Sequence, residues 1–388
     1  MWLHDLMSFL TDLCLELQQS ILEHLSDSPE ALSSMALSCQ SLHEPATRIL
    51  WRRVEGFQQI ASLFPEDNPL RISPFSLSEY QNSRDFTDDE LGRISHYCNL
   101  VRHVERVYTE DLCLMLEKLP SDRFPYLFPN LRSIECQHLW TRGSDRILSP
   151  SVVRNCFTTR GYHTWSIDPF MIPIAIEEES YPVLTHLEFQ LFNRAFRGEF
   201  ALITRCPNLQ YLEVFSADGP IMNHLSQLPN LRVLRFLSLE EMSPTFDAVA
   251  PFPSLVELFL GETTAQRATS FFRAVSSSSL TTIQVELKDG RISSVSLDAM
   301  VQSLVNHHSK NTLSDLDFFT EFYRMECSVG LSTILPFLQL PNIRSFRWNI
   351  PFEDHDDRMW PRWMKIETFP PYPSSNSTKP YILYNPRL

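Results

Sequence analysis

Side chains able to do bond chemistry are present in this sequence but are not gathered in a working pattern. His96, Cys98 and His103 stand close together, yet their intervals match no usual zinc spacing. A local surface or core role is expected for them. His307-His308 precedes Ser309-Lys310-Asn311 and suits a helix C-terminus, where cations complement the dipole. The acidic run Glu353, Asp354, His355, Asp356, Asp357 lacks the glycine and the spaced carboxylates of an EF-hand loop, so it reads as a solvated face. Cys39 has no base near it in sequence to make it a nucleophile. Walker, G-x-G-x-x-G, G-x-S-x-G and H-E-x-x-H signatures are missing. Only 9 glycines stand against 27 prolines, which disfavours glycine-rich phosphate loops. The chain is expected to bind rather than catalyse, without a cofactor.

The residues suited to binding recur with one phrase. Phe128-Pro129-Asn130-Leu131 is followed by Ile134 and Cys136, and Tyr181-Pro182-Val183-Leu184 by Leu187 and Phe189. Cys206-Pro207-Asn208-Leu209 leads to Leu212 and Val214, and Leu228-Pro229-Asn230-Leu231 to Leu234 and Phe236. Phe252-Pro253-Ser254-Leu255 leads to Leu258 and Leu260. Weaker copies start at Val104, Leu280, Leu313 and Ile343. Each reads as a turn and then L-x-x-L-x-L, whose last residues alternate as a short strand does. The anchors Leu184, Leu209, Leu231, Leu255 and Leu280 follow at intervals of 25, 22, 24 and 25. That lies in the period of leucine-rich repeats, about 20–29 residues. The next intervals, 33 and 30, imply insertions. The 53 residues from Leu131 to Leu184 are about two periods and hold a repeat that does not align.

One strand and one arm per unit cannot bury their own apolar face, so the units must stack. Segments such as 222–227, 265–275 and 297–307 can supply the outer side. Where leucine-rich repeats often place an asparagine, this chain has Leu139, Phe192, Ala217, Leu239 and Thr263. Unrelated strands of a compact α/β domain are the alternative. The residues between the leucines point away from the core. On a solenoid they line its concave face, and they include Glu135, Glu188, Tyr211, Glu213, Phe215, Arg235, Glu257, Phe259, Glu286, Asp315, Asp317 and Phe319. Seven residues of this face are acidic and two, Arg235 and Arg347, are arginines. Its aromatics are of the type found at binding hot spots. The face suits a basic or mixed protein surface and disfavours a phosphorylated one, which needs arginine clusters. A solvated acidic sheet is the plainer alternative.

The first fifty residues read as helices. Trp2, Leu3, Leu6, Phe9, Leu10, Leu13 and Leu17 recur at helical spacing, and Ile21, Leu22 and Leu25 continue the stripe. Ser28 and Pro29 suit an N-cap and a first helical position. Leu32, Met35, Ala36, Cys39 and Leu42 form a second run, and Pro45 opens a third with Ala46, Ile49, Leu50 and Val54. Leu13-Cys14-Leu15-Glu16-Leu17, with Ile21, Leu22 and Leu25, resembles the opening of an F-box. Leu32, Leu37, Cys39-Gln40-Ser41-Leu42 and Leu50-Trp51 resemble its second half. The likeness covers about a tenth of the chain and departs from the family at Cys14, usually Pro, and at Leu42, often Trp. Residues 41–54 look especially like the F-box proteins of mushroom-forming fungi. Ordinary core leucines of a helical cap are the alternative.

The resemblance implies a substrate-recognition subunit of an SCF-type ubiquitin ligase, non-catalytic itself. It would dock on a Skp-type adaptor, and through it a cullin, and hold an unknown substrate protein on the repeats. Leu13, Leu15, Glu16, Leu17, Ile21, Leu22, Leu25, Leu37, Leu42, Leu50 and Trp51 would meet the adaptor. A repeat scaffold outside ubiquitination is the alternative. The expected fold is α/β: a short helical F-box, then an irregular leucine-rich-repeat solenoid with a curved parallel sheet and helices outside. Expected segments are 1–56 for the helices, 57–95 for a connector or irregular first repeat, 96–352 for the solenoid, and 353–388 for a cap and tail. With 33 Lys+Arg against 47 Asp+Glu, the net charge of −14 disfavours nucleic acid and anionic membrane as partners. No stretch is long and apolar enough for a membrane helix, and the opening residues do not read as a secretory signal. The 8 cysteines, without a CxxC pair, then read as free thiols in the cytoplasm or nucleus.

Overall fold

The structure, a computed structural model, describes residues 13–64, 84–137, 146–147, 149, 151–152, 154–158, 181–190, 203–217, 219–239, 250–275, 277, 279–288, 293–307, 312–320, 331–350, 364–367 and 381–383. It is a mixed α/β chain in two compact units, Met1–Leu184 and Thr185–Leu388.

The first unit begins with three helices, α1 (Leu15–His24), α2 (Pro29–Ser38) and α3 (Gln40–Arg52). The expected earlier run from Trp2 to Leu10 lies outside the described residues. Leu22, Leu32, Leu42, Ala46 and Ile49 form a shared core, with Leu13, Ile21, Leu25, Met35, Cys39 and Leu50 packed partly against it. Ser28 stands at the N-cap position of α2 and Pro29 is its first residue, as the sequence suggests, but the Ser28 hydroxyl makes no capping hydrogen bond. Pro45 does not open α3 but lies inside it. The helix starts five residues earlier, and the proline has no N–H to reach the carbonyl of Ser41.

β1 (Arg53–Glu55) follows α3 directly, so the sheet starts inside the segment expected to be helical. After α4 (Phe57–Ala61) come α5 (Asp88–Leu100) and β2 (His103–Tyr108). The expected boundary at residue 95 thus falls inside α5. Next are α6 (Thr109–Lys118), β3 (Ser133–Gln137) and β4 (Arg154–Thr158). The four strands pair in parallel in chain order. β4 is the repeat the sequence could not align. Its Asn155 stands in register with Ile134, so it lacks the leucine signal there. His103 pairs with Ser133 and Val104 with Ile134, which makes the buried Val101 the counterpart of Leu131. The copy placed at Val104 therefore starts at Val101.

The second unit repeats one plan: β5 (His186–Gln190), β6 (Tyr211–Val214), α7 (Gly219–Ser226), β7 (Val233–Phe236), β8 (Glu257–Thr263), α8 (Ala265–Ala274), β9 (Thr282–Leu287), α9 (Ser294–His307), β10 (Asp315–Phe319), α10 (Leu331–Leu338) and β11 (Ser345–Asn349). β5 to β11 pair in parallel and in chain order. Two short strands, β12 (Met364–Glu367) and β13 (Tyr381–Leu383), add antiparallel pairs after β11, within the segment expected to be a cap and tail.

The recurring phrase has a backbone cause. Leu209 N–H donates to the Cys206 carbonyl at 3.2 Å and Leu255 N–H to that of Phe252 at 3.3 Å. Each is a reverse turn with proline second, where its fixed φ fits. The carbonyl after each anchor leucine then takes two donors from the next strand. Gln210 O accepts from Arg232 N at 2.8 Å and Val233 N at 2.9 Å, and Val256 O from Thr281 N and Thr282 N. This fork fixes the register. Leu212, Leu234, Leu258, Ile283, Leu316 and Phe346 therefore form one buried row, and Val214, Phe236, Leu260, Val285, Phe318 and Trp348 a second. Burying one such side chain contributes about 1.5–3 kcal/mol. The arms complete the core, with Phe271 and Phe272 from α8, Met300 and Leu304 from α9, and Phe337 from α10.

Candidate functional site

Two surfaces gather the residues that the sequence singles out. The first is on the helical trio. Leu15, Leu17 and Leu37 are 64%, 52% and 83% exposed. Leu15 and Leu17, two positions apart on α1, point to different sides of that helix, and Leu37 is on α2, so the three are open to a partner that covers more than one side of the trio. Glu16 stands exposed between two of them. Its carboxyl is held below the ordinary range by its own backbone N–H and then by the Cys14 thiol.

Other residues expected on this surface face elsewhere. Leu22 and Leu42 are buried in the trio's own core, so neither can fill a partner's groove. Helical spacing puts them on the same stripe as true surface leucines, and only the pairing of helices tells the two apart. Leu13, Ile21, Leu25 and Leu50 are partly covered by that core. Trp51 packs on Tyr97 of α5, ring centroids 4.7 Å apart. Cys39, at the N-cap of α3, has its thiol pKa lowered by the Ser41 hydroxyl and then the Leu42 backbone.

The second surface is the sheet face of the second unit opposite its core. In register across the strands stand Glu188, Glu213, Arg235, Phe259, Gln284, Asp317 and Arg347. Glu188 and Glu213 are adjacent, and each side chain is only 10% exposed. Burial of two carboxylates is costly unless each finds a donor. His186 Nε2 donates to Glu188 at 2.5 Å and the Tyr211 hydroxyl to Glu213 at 3.0 Å. The two donor rings stack at 3.9 Å. Burial, then the Glu213 charge, raises the Tyr211 pKa, so the hydroxyl keeps its proton. Arg235 Nε lies 3.5 Å from Glu213 as an ion pair without hydrogen-bond geometry, and its guanidinium sits 5.0 Å from the Phe259 centroid. Phe259 in turn stacks with Phe319 at 6.5 Å.

This face is less bare than its composition suggests. Glu188, Glu213 and Asp317 are all engaged by the chain itself, the last through Arg347 Nη1 at 3.0 Å. Burial nevertheless holds the Asp317 carboxyl above its ordinary range. Glu257 is exposed, while Phe215, Glu286 and Asp315 are half-buried. Glu135 is half-buried on β3 of the first unit and is not part of this row. His186 and Arg347 act in the network although composition gave no reason to prefer them. Their signal is the i, i+2 step to Glu188 and the register with Asp317.

The candidate reactive residues do not converge. His96 is exposed on α5 against Tyr97, and Cys98 is buried, its thiol pushed up to about 12 by burial. His103 Nδ1 meets the Ser133 hydroxyl at 2.7 Å, and burial, then Arg52 and Arg53, lowers its pKa. Among the described residues no group of three or more His, Cys, Asp or Glu is arranged to hold a metal, and no helix is long and apolar enough to cross a membrane. The acidic run 353–357 and His308 lie outside the described residues. No protein-family model matches the chain. No curated protein sequence shows a significant match to it.

Proposed function

We infer that this chain is the substrate-recognition subunit of an SCF-type ubiquitin ligase. Residues 1–56 form an F-box that docks on a Skp-type adaptor and, through it, a cullin. The later strands form a leucine-rich-repeat solenoid whose sheet face holds a substrate protein. The chain acts in the cytoplasm or nucleus and does no bond chemistry. Linking two binding surfaces raises the effective concentration of substrate at the conjugating enzyme. The observation that carries this reading is the exposure of Leu15, Leu17 and Leu37 on a trio whose own core is closed. The adaptor set is accordingly narrower than the resemblance implies: these three with Glu16, flanked by Leu13, Ile21, Leu25 and Leu50.

A scaffold outside ubiquitination is the second reading. It is favoured by the direct passage of α3 into β1 and by the Trp51–Tyr97 contact, which make the trio part of the first unit. Co-expression with a tagged Skp-type adaptor of the source organism separates the two. The wild type should elute as a 1:1 complex, and Leu15→Asp/Leu37→Asp should lose it while keeping its fold. A wild-type chain that stays apart from the adaptor, or a double variant that still binds it, would leave the scaffold reading in its place.

A further inference from the structure

On β8, β9 and β10 the sheet face forms a compact patch. Glu257 stands in register with Thr282 and Asp315, Phe259 with Gln284 and Asp317, and Glu286 with Phe319. Four carboxylates thus surround two rings that stack across β9. Among the described residues the cations next to this patch are already committed: Arg235 to Glu213 and Phe259, Arg347 to Asp317, and Lys288 to Glu262. Arg347 satisfies only one carboxylate oxygen of Asp317, and Oδ1 has no hydrogen-bond partner. A shielded acceptor without a donor is uncommon in a native fold and asks for an explanation.

Arg235 shows what this face does with a guanidinium. It rests on a phenyl ring beside a carboxylate. Asp317 and Phe319, two residues apart on one strand, present the same pair of groups. The geometry points to a second guanidinium site there, filled by an arginine of an extended partner segment. The incoming fork exchanges with Arg347, whose side chain is more than half exposed, and bonds both Asp317 oxygens while stacking on Phe319. Glu257, Asp315 and Glu286 supply the surrounding negative field. A planar, forked cation fits this chemistry better than the point charge of lysine. This inference rests on reading the sheet face as the substrate surface and names the chemistry it selects.

The test uses the full chain and fluorescein-labelled peptides of Gly-Ser repeats carrying three arginines, three lysines or three citrullines. Citrulline keeps the shape and removes the charge. Anisotropy titration should show the arginine peptide binding about tenfold tighter than the citrulline one, with lysine between them. Asp317→Asn and Phe319→Leu should each remove most of that preference. Equal binding of the three peptides by the wild type overturns the inference and needs no variant. A preference untouched by both variants also overturns it. The Leu15→Asp/Leu37→Asp chain should keep the preference, so loss of adaptor capture and loss of arginine recognition are read separately.

Discussion

Glu90 closes a reciprocal capping box at the start of α5: its carboxylate accepts from Thr87 N at 2.8 Å, and its own N–H reaches the Thr87 hydroxyl. Arg84 grips the same carboxylate with two nitrogens, at 2.7 and 2.9 Å. Arg84 first, then the Thr87 backbone, holds the carboxyl down to about 2. A depressed carboxyl stabilises the fold above its unfolded value, and that share is lost as pH falls toward 2. Glu90→Gln should therefore lower stability at neutral pH and flatten the acid limb of an unfolding titration. A parallel, merely displaced limb would mean that Glu90 titrates alike in both states. Little of this scale is legible in sequence. Thr87 and Glu90 stand at capping-box spacing, but Arg347 and Asp317 are thirty positions apart and meet only through strand register.

Elements were legible wherever one residue type repeats at a fixed step. The L-x-x-L-x-L phrase located β3 and β5 to β8, and the weaker copies located β9, β10 and β11. The signal failed at β4, where Asn155 takes the place of a leucine, and at Leu22 and Leu42, whose burial depends on which helices pair. It also gave no warning of the irregularity in β8. There the register shifts between Leu260 and Thr263, and Glu262 takes a left-handed φ of 34°. A Cβ on Gly261 would stand 2.6 Å from the Leu237 carbonyl and 2.9 Å from that of Phe236. Both obstacles are backbone and cannot rotate away. Gly261→Ala should cost about 1–3 kcal/mol in denaturant unfolding. An unchanged midpoint would show that the two strands separate freely at that point.

At the scale of the molecule, a chain of net charge −14 repels its own copies at long range. Contact between apolar leucines acts at short range and is less sensitive to salt. Purified alone, the wild type should therefore self-associate increasingly as salt is raised. Leu15→Asp/Leu37→Asp should stay monomeric by light scattering under the same conditions. Association of both proteins to the same extent would place the sticky surface elsewhere. Sequence could not weigh this balance, because it does not say which leucines of a helical stripe the trio consumes.

The forked hydrogen bonds at the turns carry a consequence for how such a chain can change over generations. Thr281 O receives Ser314 N and Asp315 N, and Ser314 O receives Arg344 N and Ser345 N, just as Val256 O receives Thr281 N and Thr282 N. The anchors of these steps are separated by 25, 33 and 30 residues. The joint is the same whatever the length of arm between. Insertions and deletions are thus absorbed in the arms, while a single residue lost between a turn and its strand would exchange the buried row for the exposed one. Lineages of this protein should drift in arm length and keep the turn-to-strand count fixed.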